Sequence, residues 1–366
     1  MRREYSLKSI FKQAMEAQAS DILLTDGLPP MLRVDGALGA IEGDPLDGDQ
    51  VRALVLGLLN DKQKENLAIE KELEFSLDIR DQQRFRVSLY HQRGRLAATF
   101  RLIPNIIPSI NDLGLPQVVM DFATRTRGLI IVTGPTGQGK STTQAAILDL
   151  INTNRRCHII TIEDPIEFVH EHKESAVDQR EVYADTLGFG RALKHVLRQD
   201  PDVILVGEMR DLETISTTLT AAETGHLVIT TLHTNDAIQT IDRIIDVYPS
   251  YQQAQIRTQL AFCLIGIVAQ QLIPRADGEG RVIAAEILIN NIAIANLIRE
   301  GHTHKAETVI QTHVREGMRS MDTSLAELYH AGLITYEEVM RRAKHPKSIL
   351  DSRQRANRHS QDIDFA

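Results

Sequence analysis

Two acidic residues follow apolar runs, at positions where a buried strand can deliver a carboxylate to a metal ion or to a nucleophile. The run Val203–Val206 leads to Gly207 and Glu208, and the run that begins at His158 ends at Glu163. One carboxylate cannot easily both hold a metal ion and accept a proton, so metal-dependent hydrolysis is expected to use two carboxylates. Ligands of open α/β sheets bind beyond the carboxyl ends of the strands. We therefore expect Glu163 and Glu208 to face one crevice.

The strongest chemical motif is GPTGQGKSTT, residues 134–143, which fits G-x-x-x-x-G-K-[ST] and follows the apolar run LIIVT. Its glycines let backbone amides point toward phosphate oxygens, Lys140 adds a positive charge, and the Ser141 hydroxyl is a ligand for Mg²⁺. An ordinary glycine turn between a strand and a helix is the alternative. The motif predicts a site for ATP or ADP with Mg²⁺, built from Gly134, Pro135, Thr136, Gly137, Gln138, Gly139, Lys140, Ser141 and Thr142.

The two acids would divide the work of hydrolysis at this site. We expect Glu208 to hold Mg²⁺ through the water shell of the metal. Glu163 would position and deprotonate the water that attacks the γ-phosphate of ATP. The reverse assignment is the alternative for the pair. A solvated acidic turn is the alternative for the segment EDPIE, because Pro165 also fits a bare turn.

Two histidines bracket a further apolar run in HLVITTLHTND. His233, at the end of the run, could contact the γ-phosphate, whereas His226 could do so only if the loop before the strand folds back. They are seven residues apart across a strand, so they do not form a metal pair by i, i+2 or i, i+4 proximity. Hydrogen-bonded structural histidines are the alternative for both.

Arginines alternate with apolar residues in the segment RFRVSLYHQRGRLAATFRLIP. This alternation predicts a hairpin with one apolar and one basic face. P-loop enzymes often receive an arginine from a neighbour, so we expect Arg86 and Arg101 to neutralise transition-state charge at the nucleotide of the next chain. An ordinary solvated hairpin is the alternative.

The elements that must position these residues fall into two parts. Helical spacing near the N-terminus and short strands after it predict a small α+β domain at 1–102. Three prolines, Pro104, Pro108 and Pro116, predict an interdomain linker at 103–116.

The second part has continuous apolar runs separated by helix-length segments, as strands covered on both faces require. It predicts an α/β domain with a mostly parallel sheet at 117–347. The remaining polar tail, 348–366, is predicted to be flexible. The apolar runs of the predicted sheet are 129–133, 158–163, 203–208, 227–232 and 282–289.

Composition restricts the possible classes of function. The chain of 366 residues has two cysteines and a net charge of -8. Two distant cysteines exclude a disulfide framework and a four-thiolate zinc site. The acidic balance predicts no direct nucleic-acid partner. The N-terminus lacks the apolar core of a signal peptide and the run from Ala261 is shorter than a bilayer span, so we expect a cytoplasmic protein that contacts membranes only peripherally.

Several of these segments together resemble one family. In chain order they are SDILLTDGLPPMLRVDGAL, GPTGQGKSTT, TIEDPIEFVH, DTLGFGRALKHVLRQDPDVILVGEMRD and TAAETGHLVITTLHTN. They are similar to the motifs of the PilT family of type IV pilus retraction ATPases, in the secretion-traffic ATPase superfamily. By motif, the resemblance implies that Glu163 is the aspartate-box glutamate, Glu208 the Walker B glutamate, and His226 and His233 the histidine box.

The resemblance also implies an architecture and a set of partners. It implies a PAS-like N-terminal domain, a RecA-like ATPase domain, and a homo-hexamer with nucleotide between subunits. The implied activity is Mg²⁺-dependent ATP hydrolysis that powers pilus retraction and twitching motility at the inner face of the cytoplasmic membrane. The implied partners are a PilC-like platform protein and a PilU-like paralogue. An accessory PilU-like regulatory subunit and a nucleic-acid translocase of the same superfamily are the alternatives.

Two positions depart from the family pattern. Gln138 replaces the usual serine, and we expect nucleotide binding to survive because its side chain would point away from the backbone amides. Ala295 replaces the arginine of the usual AIRNLIRE segment, in a helix associated with retraction rather than hydrolysis. The departure at Ala295 therefore bears on pilus retraction and leaves the expectation of ATP hydrolysis unchanged.

Overall fold

The computed structural model describes residues 5–34, 36–79, 83–104, 106–346 and Ile349. The chain forms two compact units, Met1–Asn105 and Ile106–Ala366. The segment predicted as a linker contributes Ile110 and Leu115 to the core of the second unit. The tail predicted to be flexible, 348–366, lies outside the described residues except for Ile349, which is buried.

The first unit is the predicted α+β domain, whose likeness to PAS domains stays a prediction. The elements are α1 (Leu7–Glu16), β1 (Asp21–Leu24), β2 (Met31–Val34), β3 (Ala37–Ala40), α2 (Gly48–Leu56), α3 (Asp61–Glu70), β4 (Glu72–Ile79), β5 (Gln83–Gln92) and β6 (Arg95–Leu102). Among the described residues, these six strands form an antiparallel sheet in the order β3-β2-β1-β6-β5-β4.

The hairpin β5–β6 has the two faces that its alternating sequence predicts. Phe85, Val87 and Leu89 are fully buried, and Phe85 stacks on Phe11 of α1 with 4.6 Å between ring centroids. These side chains belong to a core drawn entirely from the first unit. The arginines of the same strand alternate with them and therefore lie on the opposite face.

The second unit alternates strands and helices, as predicted. Among the described residues, no helix is long and apolar enough to cross a membrane. The elements are α4 (Val118–Ala123), β7 (Gly128–Thr133), α5 (Lys140–Asn154), β8 (His158–Glu163), β9 (Ala176–Glu181), α6 (Phe189–Val196), β10 (Val203–Val206), α7 (Leu212–Glu223), β11 (Leu227–Leu232), α8 (Ala237–Asp246), α9 (Ser250–Cys263), β12 (Leu264–Pro274), β13 (Arg281–Ile289), α10 (Ile292–Glu300), α11 (Ala306–Thr312), α12 (Met321–His330) and α13 (Tyr336–Arg342).

The mostly parallel sheet of the second unit confirms the predicted fold class. Its order is β13-β12-β7-β11-β10-β8-β9, and only the β12–β13 pair is antiparallel among these strands. Alternate residues of β7 enter different cores: Leu129 and Ile131 pack on one face, and Ile130 and Val132 on the other. A strand covered on both faces must be apolar throughout, which explains its uninterrupted run.

A smaller core, here called the C-terminal cluster, joins the end of β12 to α12 and α13. Its members are Ile273, Ala284, Met321, Leu325, Ile334, Val339 and Ile349. Ile273 of β12 is fully buried in it. The position of β12 therefore depends on the helices at the end of the chain as well as on the central sheet.

Candidate active site

The loop between β7 and α5, residues 134–139, has the backbone of a phosphate-binding loop. Gly134 has φ +148°, and a Cβ atom there would lie 2.4 Å from the carbonyl oxygen of Gln270. Gly139 has φ +78° immediately before α5 begins at Lys140. The glycine-rich loop thus leads directly into the N-terminus of α5, the arrangement that favours bound phosphate.

The side chain of Lys140 is buried against this loop. Its Nζ atom donates to the carbonyl oxygens of Gly134 at 2.8 Å and Pro135 at 2.9 Å, and lies 3.4 Å from Nδ1 of His233. Burial lowers the pKa of Lys140, while the charges of Glu208 and Glu167 oppose that shift. The ammonium group therefore lies next to acids that favour its charged form.

The imidazole of His233 lies between Lys140 and the first of the two predicted acids. Its Nε2 atom is 2.9 Å from Oε2 of Glu208. An ammonium group only donates hydrogen bonds, so Nδ1 of His233 must accept from Lys140, and Nε2 then carries the proton that it donates to Glu208. The other carboxylate oxygen of Glu208 pairs with Arg210. These contacts fix the orientation of a nearly buried carboxylate.

Glu163, the second acid, ends β8 at the same edge of the sheet. Its Oε1 atom accepts from the hydroxyl of Thr161 at 2.6 Å and from the amide of Gln179 at 3.1 Å. Burial raises the pKa of Glu163 to about 7, against the opposing effect of these two hydrogen bonds. A carboxyl group with this pKa can exchange a proton near neutral pH, as a general base must.

The strand order aligns the candidate residues in one row. Strands β7, β11, β10 and β8 are neighbours and parallel, with successive spacings of about 4.8 Å. Their carboxyl ends lead to the P-loop, His233, Glu208 and Glu163 in that order. The arrangement agrees with the expectation of one crevice for both acids.

Two side chains in this row offer oxygen ligands for Mg²⁺. Ser141 lies in the first turn of α5, next to the loop, and Glu208 supplies a carboxylate. Mg²⁺ is commonly bound by few protein oxygens together with substrate phosphates and water. In the described part of the chain, no three or more His, Cys, Asp or Glu side chains form a metal cluster. The residues thus fit a metal held chiefly through a nucleotide.

His226, expected at the nucleotide only if the loop before the strand folds back, lies at the amino end of β11. Its Nδ1 atom donates to the carbonyl of Ala221 at 3.0 Å, and its carbonyl accepts from the amide of Gly128 at 3.0 Å. The six-residue strand separates it from His233 by about 20 Å. The preceding loop does not fold back, so His226 does not reach the P-loop of its own chain.

The two predicted arginines lie side by side in the first unit. Arg86 and Arg101 are direct partners in the β5–β6 register, so their side chains share one face. Arg86 pairs with Glu74 at 3.4 Å, and Arg101 with Asp21 at 2.9 Å. Both arginines are exposed enough to exchange these partners for another charged group.

Sequence reasoning missed several residues that hold the site in place. Thr161, Gln179 and Arg210 orient the two acids, and Gln270 donates to the carbonyl of Gln138 at 2.6 Å. The side chain of Gln138 also accepts from the amide of Leu272 at 2.6 Å. The departure at position 138 therefore makes a structural contact with β12.

A P-loop after a central parallel strand, with acids at the ends of neighbouring strands, defines a P-loop nucleotide-hydrolysing protein of the α/β class. Comparison with known families is more specific. The model of the type II/IV secretion system protein family matches residues 3–345, and the chain belongs to that family.

Similar proteins include pilus motors. The chain is 49% identical to the type IV pilus retraction ATPase PilT of Pseudomonas aeruginosa over 90% of its own length and 96% of that protein. It is 43% identical to a twitching motility protein of Neisseria gonorrhoeae, covering 94% of this chain and 92% of that protein. It is 41% identical to the type IV pilus ATPase PilU of P. aeruginosa, covering 92% and 88%.

A solved structure of a pilus motor has the same fold as this chain. The pilus retraction motor PilT with bound ADP superposes with a TM-score of 0.88 at 47% identity, covering 94% of this chain and 99% of that one. The match includes both units. This similarity supports the mixed α/β architecture independently of the sequence motifs.

Proposed function

We propose that this protein is a Mg²⁺-dependent ATPase that powers retraction of type IV pili and thereby twitching motility. The observation that carries the proposal is the contact line Lys140–His233–Glu208 beside a P-loop, in a chain that is 49% identical to PilT over 96% of that protein. The three contacting side chains support ATP hydrolysis, and the nearly full-length similarity to PilT supports the role in pilus retraction.

In the proposed mechanism the side chains divide the work of binding and hydrolysis. The loop amides and Lys140 would bind the β- and γ-phosphates of ATP, and Ser141 and Glu208 would hold Mg²⁺, Glu208 through water. When bound, the metal neutralises phosphate charge. Glu163, with its raised pKa, would take the proton of the attacking water, and His233 keeps Glu208 oriented. To contact the γ-phosphate, His233 would turn its Nε2–H from Glu208 to a phosphate oxygen.

We further propose that the active unit is a homo-hexameric ring. Arg86 and Arg101 of one subunit would approach the nucleotide of the next, where their charges stabilise the transition state. Their adjacent positions on one exposed face support this role, because both could reach the same phosphate group. Hydrolysis would then move the first unit of one chain against the second unit of its neighbour.

The proposed work of the ring is done at the cytoplasmic face of the inner membrane. There the ring would act on a PilC-like platform protein, with a PilU-like paralogue as an accessory partner. We propose no direct nucleic-acid partner, in keeping with the net charge of -8.

A PilU-like accessory role is the second candidate, favoured by the 41% identity to PilU. Steady-state ATP turnover of the purified protein alone, with pilus retraction in a strain lacking its own retraction ATPase, separates the two roles. A retraction motor hydrolyses ATP alone and restores retraction. A protein that does neither without a second ATPase has the accessory role.

The same strain tests the departure at position 295. Ala295 lies on α10, partly buried against the core of the second unit. We expect Ala295→Arg to leave ATP turnover unchanged, because α10 contributes no residue to the site. An increase in retraction on this substitution would identify position 295 as a determinant of force transmission rather than hydrolysis.

A further inference from the structure

Strand β12 extends beyond its neighbour β7 and meets the P-loop. The parallel pairing of β12 with β7 ends where Ala269 lies opposite Thr133. β12 continues to Pro274, paired with β13 on its other side. Over these last residues, the edge of β12 that faced β7 faces the P-loop instead.

Two short hydrogen bonds occupy this junction. The side-chain amide of Gln270 donates to the carbonyl of Gln138 at 2.6 Å, and the amide of Leu272 donates to Oε1 of Gln138 at 2.6 Å. Gln270 is fully buried. Because Gly134 has no side chain, the backbone carbonyl of Gln270 can lie against the P-loop. We call this pair of contacts the glutamine bridge.

The residues that follow Gln270 connect β12 to the end of the chain. Oε1 of Gln271 accepts from Arg342 of α13 at 3.3 Å, and Ile273 is buried in the C-terminal cluster. Arg342 is itself held by Glu338 at 2.7 Å. A shift of β12 would therefore displace α13, because a hydrogen bond and packed side chains connect the two elements.

We propose that the glutamine bridge positions the P-loop and couples nucleotide binding there to α13, with Gln138 and Gln270 acting as positioning residues. This inference rests on the proposed nucleotide site. In the proposed site the loop amides would bind phosphate, and because Gln138 of this loop holds both hydrogen bonds, a shift of the loop on binding would strain the bridge. A loop misplaced by about 1 Å can cost up to roughly 10²-fold in rate, which makes such positioning consequential.

Hydrogen exchange of the assembled protein tests the bridge directly. In the wild type we expect slow exchange at the Leu272 amide, and a change in exchange at residues 336–342 when ADP is added. Gln138→Met, which is close in size but has no amide acceptor, should speed exchange at Leu272. In Gln270→Met, ADP should still bind while the response at 336–342 is lost.

Kinetics separate positioning from a purely structural effect. We expect Gln138→Met and Gln270→Met each to lower kcat by about 10-fold or more with little change in KM. The double variant should lose little more than either single one, because the two residues act as a unit. Gln253→Met is the matched control, since it also removes a hydrogen bond from a glutamine to a carbonyl, that of Tyr248 at 3.1 Å.

The outcomes distinguish the bridge from the nucleotide site. Unchanged Leu272 exchange in Gln138→Met, or an intact ADP response in Gln270→Met, would overturn the coupling. The coupling would also be overturned if Gln138→Met and Gln270→Met lowered kcat no more than Gln253→Met does. If the wild type binds neither ADP nor ATP, the proposed function fails, and with it the coupling, whereas Leu272 exchange still reports whether the contact exists.

Discussion

His233 donates to Glu208 across 2.9 Å while its other ring nitrogen faces Lys140, so the imidazole connects the P-loop to the acid two strands away. Each contact fixes the other through the tautomer of the ring. Without the ring, the Glu208 carboxylate would keep its ion pair with Arg210 but lose the hydrogen bond from His233. Lys140 would lose its contact with Nδ1 of His233.

The first prediction concerns this imidazole. His233→Ala should lower ATP turnover by about 10²-fold, because the carboxylate loses a partner that orients it. His226→Ala is the matched control: it changes the other end of the same strand and should cost much less. Steady-state phosphate release from both variants measures the difference, and equal losses would contradict the role of His233.

The second prediction separates the two acids. Glu163→Gln keeps the shape of the side chain but removes the base, so turnover should fall by roughly 10²-fold or more while Mg²⁺-ATP still binds. Fluorescent-nucleotide binding and phosphate release measure the two effects separately. Normal hydrolysis by this variant, with a Glu208→Gln protein that binds but does not cleave, would instead reverse the two roles.

The third prediction concerns pH. Glu163 must be ionised to accept a proton, and burial raises its pKa to about 7, so kcat/KM should fall as pH decreases through that value. Below it the slope should approach about tenfold per pH unit. The residual activity of Glu163→Gln should lack this limb. A wild-type profile that stays flat down to pH 5 would argue against Glu163 as the base.

The fourth prediction concerns Lys140. Lys140→Ala removes the charge held against the phosphates, so hydrolysis should fall below detection while circular dichroism shows an unchanged fold. Lys173→Ala is the control, because it removes a surface lysine that pairs with Asp149 at 2.7 Å in the same unit. Near-normal turnover in a folded Lys140→Ala protein would rule out the P-loop assignment.

The fifth prediction tests whether the arginines act between subunits. A variant with Arg86→Ala and Arg101→Ala and a Lys140→Ala variant should each be inactive, for different reasons. Mixed rings contain interfaces where an intact P-loop meets intact arginines. Such an arginine is worth about 10³-fold or more in related reactions, so a minority of repaired sites should be detectable.

ATP turnover is measured against the mixing ratio, with subunit exchange verified by labelled chains. Activity that peaks at intermediate ratios places the active site between subunits. A flat baseline despite verified exchange would show that the arginines do not act in trans.

The site was predictable where it depends on local sequence. The P-loop and the acids at the ends of β8 and β10 follow from apolar runs and a motif, because the carboxyl ends of parallel strands share one edge. Strand β9 was missed because it is an edge strand whose segment AVDQRE is mostly polar.

Other features depend on contacts between distant positions. Gln270 supports Gln138 across 132 positions of the chain, and no local pattern signals such a pair. The position of His226 depended on the path of the loop before β11, which hydrogen bonds to the preceding helix decide.

The separate cores of the two units have a thermodynamic consequence. Among the described residues, one core uses only residues of the first unit, and the others use only residues of the second. Each unit can therefore melt in its own calorimetric transition, so one midpoint temperature would not define the stability of the whole chain. A ligand held by the P-loop stabilises the unit that binds it. Added ADP should raise one transition and leave the other in place, and the heat absorbed in each identifies the unit that melts.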